Sequence, residues 1–193
     1  MNITVFGGAF DPPHFGHLKI INSLFEQKIA DEVWLVPTGV HDFEKKMQSA
    51  EIRIAMLELL IAELPSKLQS KIKINTCELN RPGVSQTYDT LLELSAQTPQ
   101  DKFSWIMGSD NLAKFHLWEN YQRILTKFLV YIYPRLGFAM KPLYTGMVVL
   151  SGVEQVEVSS TKIKEILAKD STEKLADFLP KTILQYIQLH NLY

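Results

Sequence analysis

The chain has 193 residues, 46% of them hydrophobic and 21% charged, which is ample apolar material for a sizeable core. Twenty Lys and Arg stand against 21 Asp and Glu, a formal net charge of −1, so bulk charge gives no reason to expect nucleic acid or an anionic membrane as partner. The single cysteine, Cys77, excludes an intrachain disulfide and a cysteine-based zinc site. "NITVF" opens the chain as a short buried strand, with no basic n-region before it. No stretch approaches about 18 uninterrupted apolar residues. A cytoplasmic protein is expected.

After "GGAFDPPHFGH", the run "HLKIINSLFEQKI" carries apolar residues at helical spacing, and "EVWLVPTG" is a second strand stopped by Pro37 and Gly39. "SAEIRIAMLELLIAEL" reads as an amphipathic helix with Ser49 as N-cap and Pro65 beyond its end. "KIKINTCEL" alternates like a strand, and "SQTYDTLLELSAQ" returns to helical period. "KFSWIMG" is a strand, "NLAKFHLWENYQRIL" a helix, and "FLVYIYPR" another strand. "MVVLSGVEQVEVS" supplies one or two more strands, "STKIKEILAK" a helix, and "LPKTILQYIQLH" a last helix. Strands and helices alternate almost throughout with short connections. That is the pattern of a single α/β domain with a doubly wound, mostly parallel sheet flanked by helices. Such sheets bind ligands at the carboxyl ends of their strands. The residues that carry chemistry fall there, after "ITVF", "WLVP", "WIMG", "YIYP" and "VEVS".

The first of these junctions is the densest. Gly7 and Gly8 let backbone approach a ligand closely, and Ala9 and Phe10 continue the loop. His14 and His17, at i and i+3, share one face of a first helical turn, whose N-terminus favours an anion. The segment is neither a P-loop nor a G-x-G-x-x-G fingerprint. A lone Gly-Gly is usually only a turn, and no third ligand accompanies the histidines, so no metal site is expected. The whole set at a first βα turn reads as a phosphate site. A second phosphate-facing helix start is offered by "SSTKIKE", where Ser159 or Ser160 can cap.

"GGAFDPPHFGH" resembles the first motif of the nucleotidyltransferase superfamily marked by (H/T)-x-G-H. Its "FDPPH" half is similar to the nicotinate mononucleotide adenylyltransferase branch. "GSDNLAKFHLWENY", "VSSTKIKE" and the ending "FLPKTILQYIQLHNLY" resemble three further elements of that branch, so the likeness covers essentially the whole chain. It implies a Rossmann-like nucleotidyltransferase domain over 1–193, with 158–193 a helical part completing the ATP site. The implied reaction transfers AMP from ATP to nicotinate mononucleotide, giving deamido-NAD and pyrophosphate, with Mg²⁺ carried on ATP.

Residue by residue, the resemblance implies catalytic roles for His14, His17, Lys46 and Lys164. ATP contacts fall on Gly7, Gly8, Ala9, Phe10, His14 and His17, then on Gly108, Asp110, Ser160, Thr161 and Lys164. Mononucleotide contacts fall on Phe10, Thr38, Lys45, Ser85, Thr87, Trp118 and Arg135. Taken singly, Asp110 reads equally as a helix N-cap, Trp118 as core and Arg135 as surface. Lys164 stands where the branch has arginine, keeping the charge without the bidentate fork. Two departures fall in loops expected to read the pyridine. The branch's P-P-H is missing from "VPTGVHDFEKK", leaving the choice between Lys45 and Lys46 open. Val84 and Gln86 replace its Pro and Tyr, while Ser85, Thr87 and Thr90 are kept.

Rival readings are the same transfer to nicotinamide mononucleotide, or to both. Phosphopantetheine as acceptor is disfavoured by "GSDNLAKFHLW". A non-catalytic nucleotide-binding module is disfavoured by the intact His-x-G-His. A dinucleotide-dependent oxidoreductase is disfavoured by the missing glycine fingerprint. The expected partners are therefore ATP and a pyridine mononucleotide, with no nucleic acid and no membrane. The sequence is compatible with a homo-oligomer and silent on its size.

Overall fold

The structure is a computed structural model that describes residues 1–39, 47–153, 158–169 and 172–193. Its centre is a six-stranded, wholly parallel sheet in the order β3-β2-β1-β4-β5-β6. The strands are β1 Asn2–Gly8, β2 Glu32–Pro37, β3 Ile72–Ile74, β4 Lys102–Gly108, β5 Leu129–Tyr133 and β6 Met147–Val149. Strand order reverses between β1 and β4, so the crevice above that pair is where a doubly wound sheet receives its ligand. The expected fold class is the observed one.

Two apolar layers cover the sheet. Helices α1 (Phe15–Glu26), α2 (Ala50–Ala62), α6 (Ser160–Leu167) and α7 (Lys181–Leu189) lie on one face, burying Ile21, Leu57, Ile163 and Ile183 against Phe6 and Ile106. Helices α4 (Thr87–Gln97) and α5 (Tyr121–Lys127) cover the other, burying Leu91, Leu94 and Ile124 against Val5, Trp34 and Trp105. Short helix α3 (Ser66–Gln69) bridges α2 and β3. The period-2 alternation of β1 and β4 divides their side chains between the layers. The small polar residues Thr4 and Ser104 meet across adjacent strands at 3.0 Å.

Several elements differ from the expectation. The alternating run "KIKINTCEL" is a strand only over Ile72–Ile74. "NLAKFHLWENYQRIL" is not one helix. It is a 3-10 segment, Ser109–Leu117, followed by α5, with Asn120 between them in the left-handed region at φ 57°. Asparagine tolerates that conformation better than most residues, and the break swings Trp118 onto Trp105 and Phe115. Apolar periodicity runs unbroken through the junction, so the sequence signal hides it. Ser49 caps α2 as expected, its Oγ accepting the Ile52 N–H at 3.4 Å. The expected strand exit after "VEVS" lies partly outside the described residues. Among the described residues no helix is long and apolar enough to cross a membrane.

Candidate active site

Above the β1–β4 pair lies a cavity of about 450 Å³. The β1 exit (Gly7, Gly8, Ala9, Phe10) and the start of α1 (His14, Gly16, His17) form one wall. Asp110 and Asn111 follow β4, Tyr133 to Arg135 follow β5, and Ser159 to Thr161 begin α6. Residues far apart in the chain converge because every βα turn of a parallel sheet emerges at the same edge.

The two histidines are held by each other and by a missing side chain. His14 is the extended N-cap residue of α1, at φ −150°, and its backbone N–H donates to His17 Nδ1 at 3.0 Å. Acceptance at Nδ1 places the neutral ring's proton on Nε2, which makes that atom a fixed donor. The rings lie 3.9 Å apart, centroid to centroid. A Cβ on Gly16 would come within 2.9 Å of the His14 ring, so the glycine of His-x-G-His makes room for the first imidazole. Phe10, fully buried, packs on His17 at 5.0 Å and on Phe6 at 5.6 Å, and holds a left-handed backbone at φ 50°. A bulky residue is strained there unless its surroundings impose it, which marks a loop shaped for a purpose.

Burial lowers both imidazoles. Desolvation, with Arg135 second, pushes His17 down to about 3. Desolvation, the His17 ring and Arg135 push His14 well below the ordinary range. Both are therefore neutral at pH 7. The sign for stability follows from proton uptake on unfolding. Below about pH 6.5 the unfolded histidines take up protons that the folded ones refuse, so the ligand-free protein loses stability as pH falls from about 6.5 toward about 3. The expected result is a thermal midpoint that drops between pH 6.5 and 5 by about 3 °C more in the wild type than in His17→Gln. Parallel curves would show that the ring is not held neutral.

The other walls carry the charge. Arg135 reaches Asp110 through Nη1 at 2.9 Å, and its backbone N–H donates to Ser109 Oγ at 2.9 Å. A Cβ on Gly108 would lie 2.2 Å from Asp110 Oδ1 and 2.7 Å from Arg135 Cδ, so that glycine leaves the pair its space. At α6, Ser159 is the cap, its Oγ accepting the Lys162 N–H at 3.1 Å. Ser160 Oγ donates instead to Pro12 O at 2.9 Å, stitching α6 to the first loop. Among the described residues, two helix N-termini and one guanidinium thus face a cavity with a single facing carboxylate. The chemistry this suits is binding an extended polyanion such as a triphosphate.

Asp11, which the sequence reading left without a role, is 1% exposed and gathers the surrounding pieces. Its carboxylate pairs with Lys164 Nζ, accepts the Tyr193 hydroxyl, and accepts the Gln48 N–H at 3.3 Å. Lys164 is accordingly brought to the first loop but stands outside the cavity lining, with its ammonium on Asp11. Lys45 and Lys46 lie outside the described residues.

Thr38, Ser85, Thr87 and Trp118 are not among the residues that line this cavity. The Thr38 N–H donates to Gly8 O at 2.9 Å, joining the β2 and β1 exits. Buried Glu78 anchors the loop before α4. It accepts from Thr90 Oγ1 at 2.8 Å, and a Cβ on Gly39 would overlap its carbonyl at 2.2 Å. Ser85 Oγ and Trp105 Nε1 are buried without a partner among the described residues. Thr87 opens α4 half-buried. Trp118, half-buried, packs edge-on to Trp105 at 6.4 Å, which leaves ring surface for a second aromatic system. Of the described residues expected to touch the mononucleotide, Phe10 and Arg135 line the cavity.

Comparison with known proteins agrees with this geometry. A model of the cytidylyltransferase-like family matches residues 5–166. A relative from Myxococcus xanthus is 35% identical over 195 residues, covering 100% of this chain and 95% of its own length. One from Oceanobacillus iheyensis is 33% identical over 192 residues, covering 99% and 96%. Both are named as nicotinate-nucleotide adenylyltransferases. The fold is similar to that of Plasmodium falciparum nicotinic acid mononucleotide adenylyltransferase complexed with NaAD. The TM-score is 0.87 at 20% identity, over 100% of this chain and 97% of that one. The same enzyme complexed with APC matches at a TM-score of 0.83, with 20% identity over 100% of this chain and 96% of that one.

Proposed function

We propose that this chain, which belongs to the cytidylyltransferase-like family and within it to the nicotinate-nucleotide adenylyltransferases, transfers the AMP unit of ATP to nicotinate mononucleotide. A 5′-phosphate oxygen of the mononucleotide forms a bond to the α-phosphorus of ATP. The bond from that phosphorus to the bridging oxygen breaks, and pyrophosphate leaves with its charge, giving deamido-NAD. The observation that carries the reading is the pair of neutral imidazoles, His17 fixed as an Nε2 donor by the His14 N–H, between two helix N-termini above the strand-order reversal.

The attacking phosphate is a dianion above its second pKa of about 6, so no strong base is needed. Rate then comes from positioning and from donors aimed where charge builds. His17 Nε2–H and the His14 ring serve the transferring and bridging phosphates. The N–H groups of α6 at Ser160 and Thr161 receive the β- and γ-phosphates, and one lysine of the Lys45–Lys46 pair, outside the described residues, is assigned to the same polyphosphate. Lys164, if drawn from Asp11, adds a cation there. Arg135 holds the mononucleotide phosphate, and Trp118 stacks on the pyridine. Mg²⁺ enters on the triphosphate oxygens as part of the substrate. Among the described residues no group of three or more His, Cys, Asp or Glu converges on a common point. A cytoplasmic location is supported by the requirement for ATP and by the lone thiol, Cys77.

Pyrophosphate release with Mg·ATP, compared between nicotinate and nicotinamide mononucleotides at matched concentrations, tests the reading. The expected outcome is a preference for nicotinate of at least about tenfold. Equal rates would make the enzyme dual-specific, and no release with either would remove the assignment.

A further inference from the structure

We infer that Tyr193 is a positioning residue for adenylyl transfer, acting through Asp11 on the phosphate loop from Ala9 to His14. The inference rests on the proposed reaction at that site, and it concerns a residue at the far end of the chain.

Asp11 sits in the middle of the loop that runs from β1 to α1, with its carboxylate turned inward and away from solvent. Such a group must be satisfied by donors. The hydroxyl of Tyr193, 182 positions away, donates to Oδ1, and Gln48 N–H shares the same oxygen at 3.3 Å. Oδ2 takes the Lys164 ammonium, which also lies 5.1 Å from the centre of the Tyr193 ring. Tyr193 therefore touches both members of the ion pair, one with its hydroxyl and one with its ring face.

A second anchor acts two residues earlier. Arg53, itself 3% exposed on α2, donates from Nη1 to Ala9 O at 2.9 Å and from Nε to Gln48 O at 3.1 Å. The loop is thus pinned at Ala9 by a backbone contact, at Asp11 by three donors, and at Pro12 by Ser160. Its free end is His14, which orients His17. The Tyr193 donor can be deleted while the aromatic packing surface is kept. Burial and the Asp11 carboxylate both push the phenol pKa up, so it remains a donor throughout the working pH range.

Tyr193→Phe retains the ring and the cation contact and removes only the hydroxyl. The expected result is a loss of about tenfold in kcat/KM for ATP, with KM for the mononucleotide changed less than twofold. A double-mutant cycle with Asp11→Asn separates this from simple packing. If the hydroxyl acts through Asp11, Tyr193→Phe costs little more in the Asp11→Asn background. Additive losses, or wild-type kinetics in Tyr193→Phe, would overturn the proposal. Amide hydrogen exchange at Ala9, Phe10, Asp11 and His14 gives a readout independent of turnover. Exchange should quicken in Tyr193→Phe, and unchanged exchange counts against the role. A wild-type protein that releases no pyrophosphate would sink the reaction assignment while leaving the loop test standing.

Discussion

Replacing His17 by alanine lowers kcat by about 10²–10³-fold while the protein still folds. The reason is geometric. His17 Nδ1 is occupied by the His14 backbone N–H, so Nε2–H is held as a donor before substrate arrives. A preorganised donor costs no reorganisation when charge develops on the transferring phosphate, and deleting it exposes that charge to a poorer environment. The ring is also kept neutral, with burial depressing it to about 3, so at pH 7 Nδ1 carries no proton and goes on accepting the His14 N–H. His17→Asn provides the control. Its side-chain carbonyl can still accept the His14 N–H, so the helix start is preserved and any loss of rate belongs to the chemistry. Single-turnover measurements with Mg·ATP and nicotinate mononucleotide would read the chemical step directly. An alanine variant with unchanged kcat would take His17 out of the mechanism.

Gly7→Ala and Gly8→Ala should behave very differently, though the residues are neighbours in one motif. A Cβ at Gly7 would fall 2.2 Å from Trp105 Cη2 and 2.8 Å from Cζ2, on an indole that is only 5% exposed. That ring has no open space to retreat into, so the substitution should destabilise the fold by about 1–3 kcal/mol and lower the thermal midpoint by several degrees. A Cβ at Gly8 would rest 3.5 Å from the Phe10 ring, which is ordinary contact, and should cost less than about 1 kcal/mol. Thermal unfolding of the two variants separates the roles, and Gly7→Ala combined with Trp105→Leu should recover part of the loss. Equal midpoints for the two single variants would show that the indole yields. The comparison matters because local turn chemistry assigns both glycines to phosphate approach. The structure adds that Gly7 is also packed against the Trp105 ring, while both line the cavity.

Those contrasts show where sequence reasoning reached and where it stopped. The alternation of strand and helix, the phosphate-facing turn after β1, and the cap at Ser49 are short-range features written in a few consecutive residues. The spacing of His14 and His17 predicts their common face, and the structure adds that Gly16 is required by the His14 ring. The split after Leu117 escaped notice because apolar spacing continues across Asn120, whereas the turn is a backbone dihedral. The packing of Trp118 on Trp105 is likewise a matter of which side of the sheet each connection follows. Lys164 is legible as a basic residue near a helix start, but its partner is not legible at all.

The chain's local order thus determines much by itself: a doubly wound α/β protein, a phosphate-binding first turn, and the family to which its motifs belong. Period and turn residues act over a handful of positions, so they survive in a one-dimensional text. Tertiary structure alone decided the strand order that opens the crevice between β1 and β4. It also brought Arg135 onto Asp110, and Lys164 and Tyr193 onto Asp11 across 153 and 182 positions. These pairings depend on how whole layers close over one another. A buried carboxylate takes whichever donors that closure brings within reach, and no local pattern names them in advance.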